Sequence, residues 1–334
     1  LGSAEEYFYR NKMEFSFSNA RWLTQYEISS EENFGNRDAL GFHIPGMWSK
    51  ILDLKECFLQ EEPSNEIRLA VRDYAIKNGL DFYDVRNQEG FLRTLMLRQN
   101  SKGEWMVLFQ LYREEKENRE NLFNFVLEKF PQVKTLVYAI NPKGNDSIYD
   151  LDIQNYYGEG FLMEEMDGLQ FKIGPKSFFQ TNYKQALELY RKTIEFAEIS
   201  ENDVVYDLYT GTGTIAQYIA KKAKYVIGIE SVQEAIDAAI EHAKLNGLEN
   251  CEFHCGDMKD VFTEEFLANH PKADVLITDP PRDGMHQKVV EQILKLSPPK
   301  IVYVSCNSAT QARDLALMKE HYNVVKILPV DMFP

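Results

Sequence analysis

The sequence has few residues of the kinds that build disulfide frameworks and membrane spans. Its 334 residues include four cysteines at irregular positions, which argues against a disulfide-stapled secreted fold. A reducing, cytoplasmic location is therefore expected. No apolar run approaches the roughly 20 residues of a membrane-spanning helix, and no signal peptide is expected from the opening residues, so no membrane association is predicted.

Positive charge and histidine are also scarce. The net charge is −15 and the pI about 5.0, which argues against a strongly basic nucleic-acid coat but leaves room for a local basic groove. The six histidines show no metal-ligand spacing; His254, for instance, has no partner four residues on. No metal site is predicted. The hydrophobic content of 44 % supplies material for about two domains.

The first half of the chain, residues 1–175, predicts an α+β domain. Strands are expected at 7–17, in a hairpin at 39–54 with a Pro-Gly turn, and at 91–98, 105–112 and 134–141. Helices are expected at 64–79, where Asn65 could be the cap, and at 118–129. Cationic side chains are interleaved with aromatic ones, a pattern that suits RNA but also fits solvated strand faces: Arg10, Lys12, Arg21, Trp22, Arg93, Arg98 and Trp105.

The second half, residues 176–334, has a different pattern. A helix at 183–198 precedes five apolar strands separated by helical segments, at 204–209, 224–230, 251–255, 275–279 and 301–305. Strands alternating with helices predict a doubly wound, mostly parallel α/β sheet of the Rossmann-like kind.

Polar groups follow the ends of the first four of these strands. The turn Asp207-Leu-Tyr-Thr-Gly-Thr-Gly-Thr214 follows the first, but Ala216 replaces the third glycine of a dinucleotide fingerprint. Glu230 could hold a ribose and Asp257 an adenine amine, and Asp279-Pro-Pro-Arg282 ends the fourth strand. Each carboxylate alone could be a helix cap, but four at one sheet edge indicate a nucleoside cofactor. An NAD enzyme would share Glu230 but would not explain Asp279-Pro-Pro-Arg282.

Cys306 follows the fifth strand and precedes a predicted helix. A thiol near a helix N-terminus can have a lowered pKa and attack an electrophile. The alternative for a single cysteine is core packing.

These motifs together resemble the RNA (uracil-5-)-methyltransferase family, which makes 5-methyluridine in transfer or ribosomal RNA. The similarity extends to Phe179-Gln-Thr-Asn182, Ser305-Cys-Asn307 and Tyr9-Arg-Asn-Lys12. It implies a class I methyltransferase domain, S-adenosylmethionine as cofactor, RNA as partner (rRNA rather than tRNA) and a monomer. It implies that Cys306 is the nucleophile and that six residues line the cofactor and target pocket: Gln180, Tyr209, Thr214, Glu230, Asp257 and Asp279.

The sequence departs from the family at several points. Thr214 stands where asparagine is common. The resemblance also implies that Asp279 faces the uracil as well and that Arg282 pairs with a carboxylate. The family's glutamate base would lie beyond Pro334. Cys57 would be a lone remaining ligand of the iron–sulfur cluster found in some relatives, so no cluster is expected in this chain. Core packing is expected for the remaining two cysteines, Cys251 and Cys255.

Two other functions remain open from the sequence. The motif Asp279-Pro-Pro-Arg282 is similar to one used by amino-group methyltransferases, which need no cysteine. The second is a non-catalytic RNA-binding protein of the same fold, which the absence of an assignable base favours.

Overall fold

The structure is a computed structural model that describes residues 1–30 and 35–334, and it divides the chain into two compact units. The α+β unit comprises residues 5–164 and 173–183 with Pro334. The parallel-sheet unit comprises residues 1–4, 165–172 and 184–333. The boundary predicted at 175/176 therefore lies within the segment 164–184, where the chain passes between the units three times.

A seven-stranded sheet organises the α+β unit. Its elements are β1 (Lys12–Ser18), α1 (Gln25–Ser29), β2 (Ala39–Ile44), β3 (Met47–Asp53), α2 (Ser64–Lys77), β4 (Leu92–Gln99), β5 (Trp105–Leu111), α3 (Lys116–Lys129), β6 (Val133–Ile140) and β7 (Gln154–Tyr157). The strand order is β3-β2-β1-β4-β5-β6-β7, and β5 and β6 are parallel because α3 joins them as a crossover. The α+β prediction is confirmed. The next strands, β8 (Leu162–Met166) and β9 (Leu169–Ile173), pair with each other.

The two longer helices pack on one face of this sheet. Phe15 and Phe109 from the strands and Ile67 and Phe123 from the helices are buried in one core cluster, and the rings of Phe109 and Phe123 stack at 4.9 Å. Because side chains alternate along a strand, every second residue of β1 points to that face, which explains the alternating aromatic residues in its sequence.

The sequence suggested that Asn65 caps α2, but the structure shows that it does not. The helix begins after Pro63, which makes no side-chain cap. The Asn65 side chain instead accepts from the Cys57 N–H at 2.8 Å and donates to the Cys57 carbonyl at 3.0 Å. Cys57 is buried in the same core cluster, so Asn65 ties a buried loop to the helix.

Three of the residues proposed to contact RNA are buried instead. Arg98 is 3 % exposed and donates to the Gly174 carbonyl at 2.9 Å and the Ser177 carbonyl at 3.0 Å. Burial lowers the pKa of Arg98 to about 10. Arg93 is held by Asp146 at 2.8 Å, and Trp105 is 1 % exposed. The prediction fails for these residues because β4 and β5 lie at the centre of the sheet, where every side chain is buried.

The parallel-sheet unit has the predicted doubly wound form. Its elements are α4 (Tyr183–Ala197), β10 (Val204–Leu208), α5 (Thr214–Ala220), β11 (Tyr225–Glu230), α6 (Gln233–Leu245), β12 (Cys251–Cys255), α7 (Met258–Val261), α8 (Glu264–Asn269), β13 (Val275–Thr278), α9 (Gln287–Leu296), β14 (Lys300–Tyr303) and α10 (Ser308–Met318). The strand order is β12-β11-β10-β13-β14, with every neighbouring pair parallel. The Rossmann-like prediction is confirmed.

The strand order reverses at β10, which begins the sheet in sequence but lies in its middle. Such a switch point opens a crevice at the carboxyl ends of the strands, where ligands bind in sheets of this kind. Asp207 of β10 lies level with Gly228 of β11 and Ile277 of β13, so the turns after these strands emerge side by side.

In the part of the chain that the structure describes, no helix combines the length and the apolar character needed to cross a bilayer.

We expect Arg98→Met to destabilise the protein by about 3 kcal/mol, because two buried carbonyls lose their donor. Chemical denaturation of the wild type and the variant measures the loss. Lys55→Met, which removes an exposed positive charge from the same unit, is the control and is expected to change little. Wild-type stability combined with weakened RNA binding in Arg98→Met would show that this arginine contacts RNA after all.

Candidate active site

The turn between β10 and α5 is fixed by the carboxylate of Glu230. Glu230 Oε2 accepts from the Gly211 N–H at 3.1 Å, while Oε1 accepts from the N–H groups of Ser231 at 2.7 Å and Val232 at 3.1 Å. Tyr209 has φ +63°, Gly211 has φ +57° and Gly213 has φ +74°, so the turn uses left-handed backbone at three positions. Glu230 thus joins the ends of β10 and β11.

The glycine turn is packed on one side and open on the other. A Cβ at Gly213 would lie 2.9 Å from the Ala239 Cβ and 3.2 Å from the Phe253 ring, and one at Gly228 would lie 2.7 Å from the same ring. A Cβ at Gly211 would meet nothing within 4 Å. The backbone of the turn therefore rests on the sheet and presents a free side at Gly211.

Thr214 is the first residue of α5 and is 8 % exposed. Its hydroxyl lies 3.4 Å from that of Thr212. The structure thus places Thr214 just behind the glycine turn, and its contact with the cofactor stays a prediction.

Asp257 follows β12 and is exposed at the N-terminus of α7. Its Oδ1 accepts from the Lys259 N–H at 3.2 Å, and its Oδ2 accepts from Lys259 Nζ at 2.5 Å, which lowers the pKa of Asp257. The preceding Gly256 N–H donates to the Glu230 carbonyl at 2.8 Å. Asp257 is therefore a helix cap in this structure, and the Gly256 contact keeps it at the same sheet edge as Glu230.

Cys255, at the end of β12, is exposed, so core packing was the wrong prediction for it. Its thiol lies 3.7 Å from the Ser231 carbonyl. The reason is topological, because β12 is the edge strand of the sheet and its last residue has no neighbour beyond it. Cys251, at the start of the same strand, is half-buried, and burial raises its pKa to about 12.

Two carboxyl groups lie at the ends of β10 and β13, that of Asp207 buried and that of Asp279 half-buried. Asp207 is 1 % exposed; its Oδ2 accepts from the Thr210 hydroxyl at 2.6 Å, while its Oδ1 has no hydrogen-bond partner among the described residues. Burial raises the pKa of Asp207 to about 7, and the charge of Asp279 acts in the same direction. Burial likewise raises the pKa of Asp279 to about 6. A cationic ligand would relieve the cost of ionising both groups.

The loop after Asp279 is tied to α10 by a buried carboxylate. Asp314 is fully buried, and its Oδ2 accepts from the Met285 N–H at 2.7 Å and from the Tyr303 hydroxyl at 2.8 Å. Gly284 has φ +75°, and a Cβ there would lie 2.6 Å from Arg313 Nη2 and 2.7 Å from Asp314 Oδ2. Only glycine leaves room for this contact.

Arg282 does not play the predicted ion-pairing role. Its side chain is exposed and makes no ion pair within residues 1–30 and 35–334, whereas its carbonyl accepts from Asn307 Nδ2 at 3.0 Å. The structural arginine is Arg313, which pairs with Asp314 at 2.7 Å and donates to the Asp283 carbonyl at 2.8 Å. Arg282 points outward because its turn is held through the main chain.

Cys306 is a free, exposed cysteine at the carboxyl end of β14. The next residue, Asn307, caps α10 by accepting from the Ala309 N–H at 3.1 Å, and its amide donates to the Arg282 carbonyl. The Ser305 hydroxyl accepts from the Asn307 N–H at 3.0 Å. The residues on both sides of Cys306 are thus fixed, and Asn307 links the cysteine segment to the loop after Asp279.

Gln180 belongs to the α+β unit, so its place beside the target base stays a prediction. There the segment is held by Asn11, which is 4 % exposed. The Asn11 N–H donates to the Thr181 carbonyl at 2.7 Å, and its side-chain amide donates to the Gln180 carbonyl at 3.0 Å. Within this unit the motifs at 9–12 and 179–182 therefore form one structural element.

Sequence reasoning assigned no role to Asp314, Asn11 or Asp207. One signal could have identified Asp314, because it lies seven residues after Asn307, two helical turns away, so both face the loop after β13. Asn11 was quoted within its motif, but its contact with residues 180–181 spans most of the first half of the chain and leaves no local signal.

Known proteins resemble this chain both in its parallel-sheet unit and over its whole length. The family description "Methyltransferase domain" matches residues 199–328. An uncharacterized RNA methyltransferase of Bacteroides thetaiotaomicron is 51 % identical over 100 % of this chain and 74 % of its own length. One from Porphyromonas gingivalis is 52 % identical, over 100 % and 73 %.

The chain belongs to the RNA methyltransferases. Among solved structures it is similar to the Pyrococcus abyssi tRNA (uracil-54, C5)-methyltransferase in complex with S-adenosyl-L-homocysteine. That similarity has a TM-score of 0.75 and 28 % sequence identity, and it covers 95 % of this chain and 71 % of the other. The protein of this sequence therefore has the class I methyltransferase fold and uses S-adenosylmethionine as its cofactor.

The residues at the sheet edge fit this cofactor. The free side at Gly211 offers backbone for a close approach, Glu230 lies where a ribose is held in such folds, and Asp207 and Asp279 suit a ligand that carries positive charge. We assign cofactor contact to Tyr209, Glu230, Asp257 and Asp279 as a proposal that rests on this placement.

Gly284→Ala is expected to destabilise the methyltransferase by about 2–4 kcal/mol, from left-handed strain together with overpacking against Arg313 and Asp314. Thermal or urea unfolding measures the change. Gly103→Ala is the matched control, because Gly103 has φ +74° but no atom within 4 Å of its would-be Cβ. Its cost should be about 1 kcal/mol. Equal losses in the two variants would contradict a specific role for the close contact of Gly284 with Arg313 and Asp314.

The pKa values of Asp279 and Asp207 predict a pH dependence of the free energy of unfolding. With folded pKa values raised above the unfolded value of 3.8, the folded state binds more protons between the two, so this contribution to stability is lost as pH rises. The wild type should therefore lose more stability than Asp279→Asn between pH about 4 and about 6. Asp283→Asn, which removes an exposed carboxylate from the same loop, controls for net charge. Parallel pH profiles for wild type and Asp279→Asn would refute the assignment.

Proposed function

We propose that this enzyme methylates carbon 5 of a uridine in RNA through a transient covalent bond between Cys306 Sγ and carbon 6 of the base. The observation that carries the proposal is the exposed Cys306 at the carboxyl end of β14, on the sheet edge shared with Glu230 and Asp279. An amino-group methyltransferase needs no thiol at this place, so the position of Cys306 favours carbon methylation.

Carbon 5 of uracil is a weak nucleophile, and the role of the cysteine is to change that. The Cys306 thiolate adds to carbon 6, and the displaced π electrons form an enolate with charge on oxygen 4 and carbon 5. S-adenosylmethionine, when bound, supplies the electrophilic methyl group for carbon 5. Removal of the carbon 5 proton by a base re-forms the ring double bond and expels the thiolate, which leaves Cys306 as it began.

Another residue of the chain has a supporting role in this proposal. Asp279 holds the uracil edge. The target base must leave its stack to enter such a site, at a cost of about a few kcal/mol, which favours a single-stranded loop.

We propose that the target uridine lies in ribosomal or transfer RNA, the two classes that the family resemblance implies. The P. abyssi protein named above is a tRNA methyltransferase, which is why both RNAs must be tested in parallel.

We expect a stable protein–RNA adduct when the enzyme and S-adenosylmethionine are incubated with RNA that contains 5-fluorouridine. The fluorine cannot be removed as a proton is, so the thiolate cannot leave after methylation. Denaturing electrophoresis of labelled rRNA and tRNA transcripts measures the adduct, and peptide mapping locates it.

Cys306→Ala should give no adduct and no methyl transfer, whereas Cys255→Ala should retain both. Cys255 is the matched control because it is also exposed at a strand end of the same sheet. Methyl transfer by Cys306→Ala to an exocyclic amine would favour the amino-group enzyme. Absence of transfer by the wild type to any RNA, with intact S-adenosylmethionine binding, would favour a non-catalytic RNA-binding role.

A further inference from the structure

Three potential metal ligands converge on the edge strand of the parallel-sheet unit. Glu252 and His254 are alternate residues of β12 and face the same side, and His270 directly follows α8. One ligand atom from each lies within 4.8 Å of the other two. Glu252 Oε1 lies 3.0 Å from His254 Nε2 and 3.6 Å from His270 Nε2. Sequence spacing missed this group because the histidines are sixteen residues apart and meet only through the fold.

Neighbouring groups orient two of these side chains. The Tyr225 hydroxyl donates to Glu252 Oε2 at 2.8 Å, which leaves Oε1 facing the histidines. His270 Nδ1 lies 2.7 Å from the Phe266 carbonyl, so the proton is assigned to Nδ1 and Nε2 keeps its lone pair. A histidine that donates its second N–H to a carbonyl is the usual arrangement of a metal ligand.

His254 supplies an independent observation. Its Nε2 atom is enclosed and meets the criteria for no hydrogen bond among the described residues, and its near polar neighbour is Glu252 Oε1 at 3.0 Å. The imidazoles are also held by packing: Phe266 stacks on His270 with ring centroids 3.9 Å apart and meets the edge of the His254 ring at 4.9 Å. An enclosed ring nitrogen that faces a carboxylate oxygen in a rigid setting is placed to share a metal ion with it.

We propose that Glu252, His254 and His270 bind one Zn²⁺ ion, with water completing the coordination. In a tetrahedral site with bonds of about 2.0–2.1 Å, ligand atoms lie about 3.3 Å apart. The separations of Glu252 from the two histidines, 3.0 and 3.6 Å, fall on either side of that value, and the two histidine ligand atoms lie within 4.8 Å of each other. Two imidazoles and a carboxylate suit zinc better than magnesium, which prefers oxygen ligands. The side chains are 17–36 % exposed, which leaves access for the ion and the water.

The site has a structural consequence. The ion joins β12 to the residue that ends α8, and β12 leads through Gly256 to Asp257 at the sheet edge. Zinc therefore stabilises the segment 251–270, at the edge of the sheet opposite to β14. This role is independent of the function proposed above.

The test is isothermal titration of zinc chloride into tag-free protein previously stripped with a chelator. We expect one ion per chain and a higher melting temperature with zinc, and no comparable effect of magnesium. His254→Ala and His270→Ala should weaken binding at least about tenfold, and Tyr225→Phe should weaken it less, because all three ligands remain.

His321→Ala removes an exposed histidine elsewhere in the same unit and is the matched control, with binding expected to be unchanged. Glu252→Gln keeps an acceptor for Tyr225 and so tests the carboxylate if an alanine variant fails to fold. Failure of zinc to bind, or zinc binding that His254→Ala and Glu252→Gln leave intact, would overturn the proposal. Zinc binding that both variants leave intact would assign the ion to the exposed cysteines, and the Cys306→Ala and Cys255→Ala variants would then lose it.

Discussion

The buried carboxylate of Asp314 is the contact on which the rest of the site depends. It accepts from the Met285 main chain on the loop after β13 and from Tyr303 on β14, while it belongs to the helix that follows Cys306. With the Asn307 contact to the Arg282 carbonyl, it connects the segments of Asp279 and Cys306 at two points. The position of the loop after Asp279 relative to the Cys306 segment is therefore set by hydrogen bonds within the protein, and the reaction proposed above needs such a preorganised site.

Most of the fold was predictable because its signals are local. The strands of the parallel sheet are short apolar runs bounded by glycine, proline or charged residues, and their alternation with helices permits few topologies. The same logic predicted the edge shared by Glu230, Asp257 and Asp279, since the carboxyl ends of parallel strands lie together. The identity with curated RNA methyltransferases then supported the family without any appeal to side-chain geometry.

The remaining features depend on partners distant in sequence. The local sequence around Arg98 does not distinguish a side chain that contacts RNA from one that binds buried carbonyls. In the structure it binds the carbonyls of residues 174 and 177. Arg313 makes the ion pair that was expected of Arg282, because the turn at Arg282 is held through main-chain groups. Cys255 was assigned to the core because the order of strands across the sheet, which leaves β12 at an edge, cannot be read from their order in the chain.

The left-handed backbone of Tyr209 shows which property of that residue the protein needs. A glycine would adopt φ +63° without penalty, whereas a side chain with a Cβ costs roughly 1–2 kcal/mol there. The strain is offset by packing, because the Tyr209 ring lies partly buried against the hydrophobic core of the parallel-sheet unit. A glycine at this position would relieve the backbone and remove that packing at once, which makes Tyr209 a link between the turn after β10 and the core of the sheet.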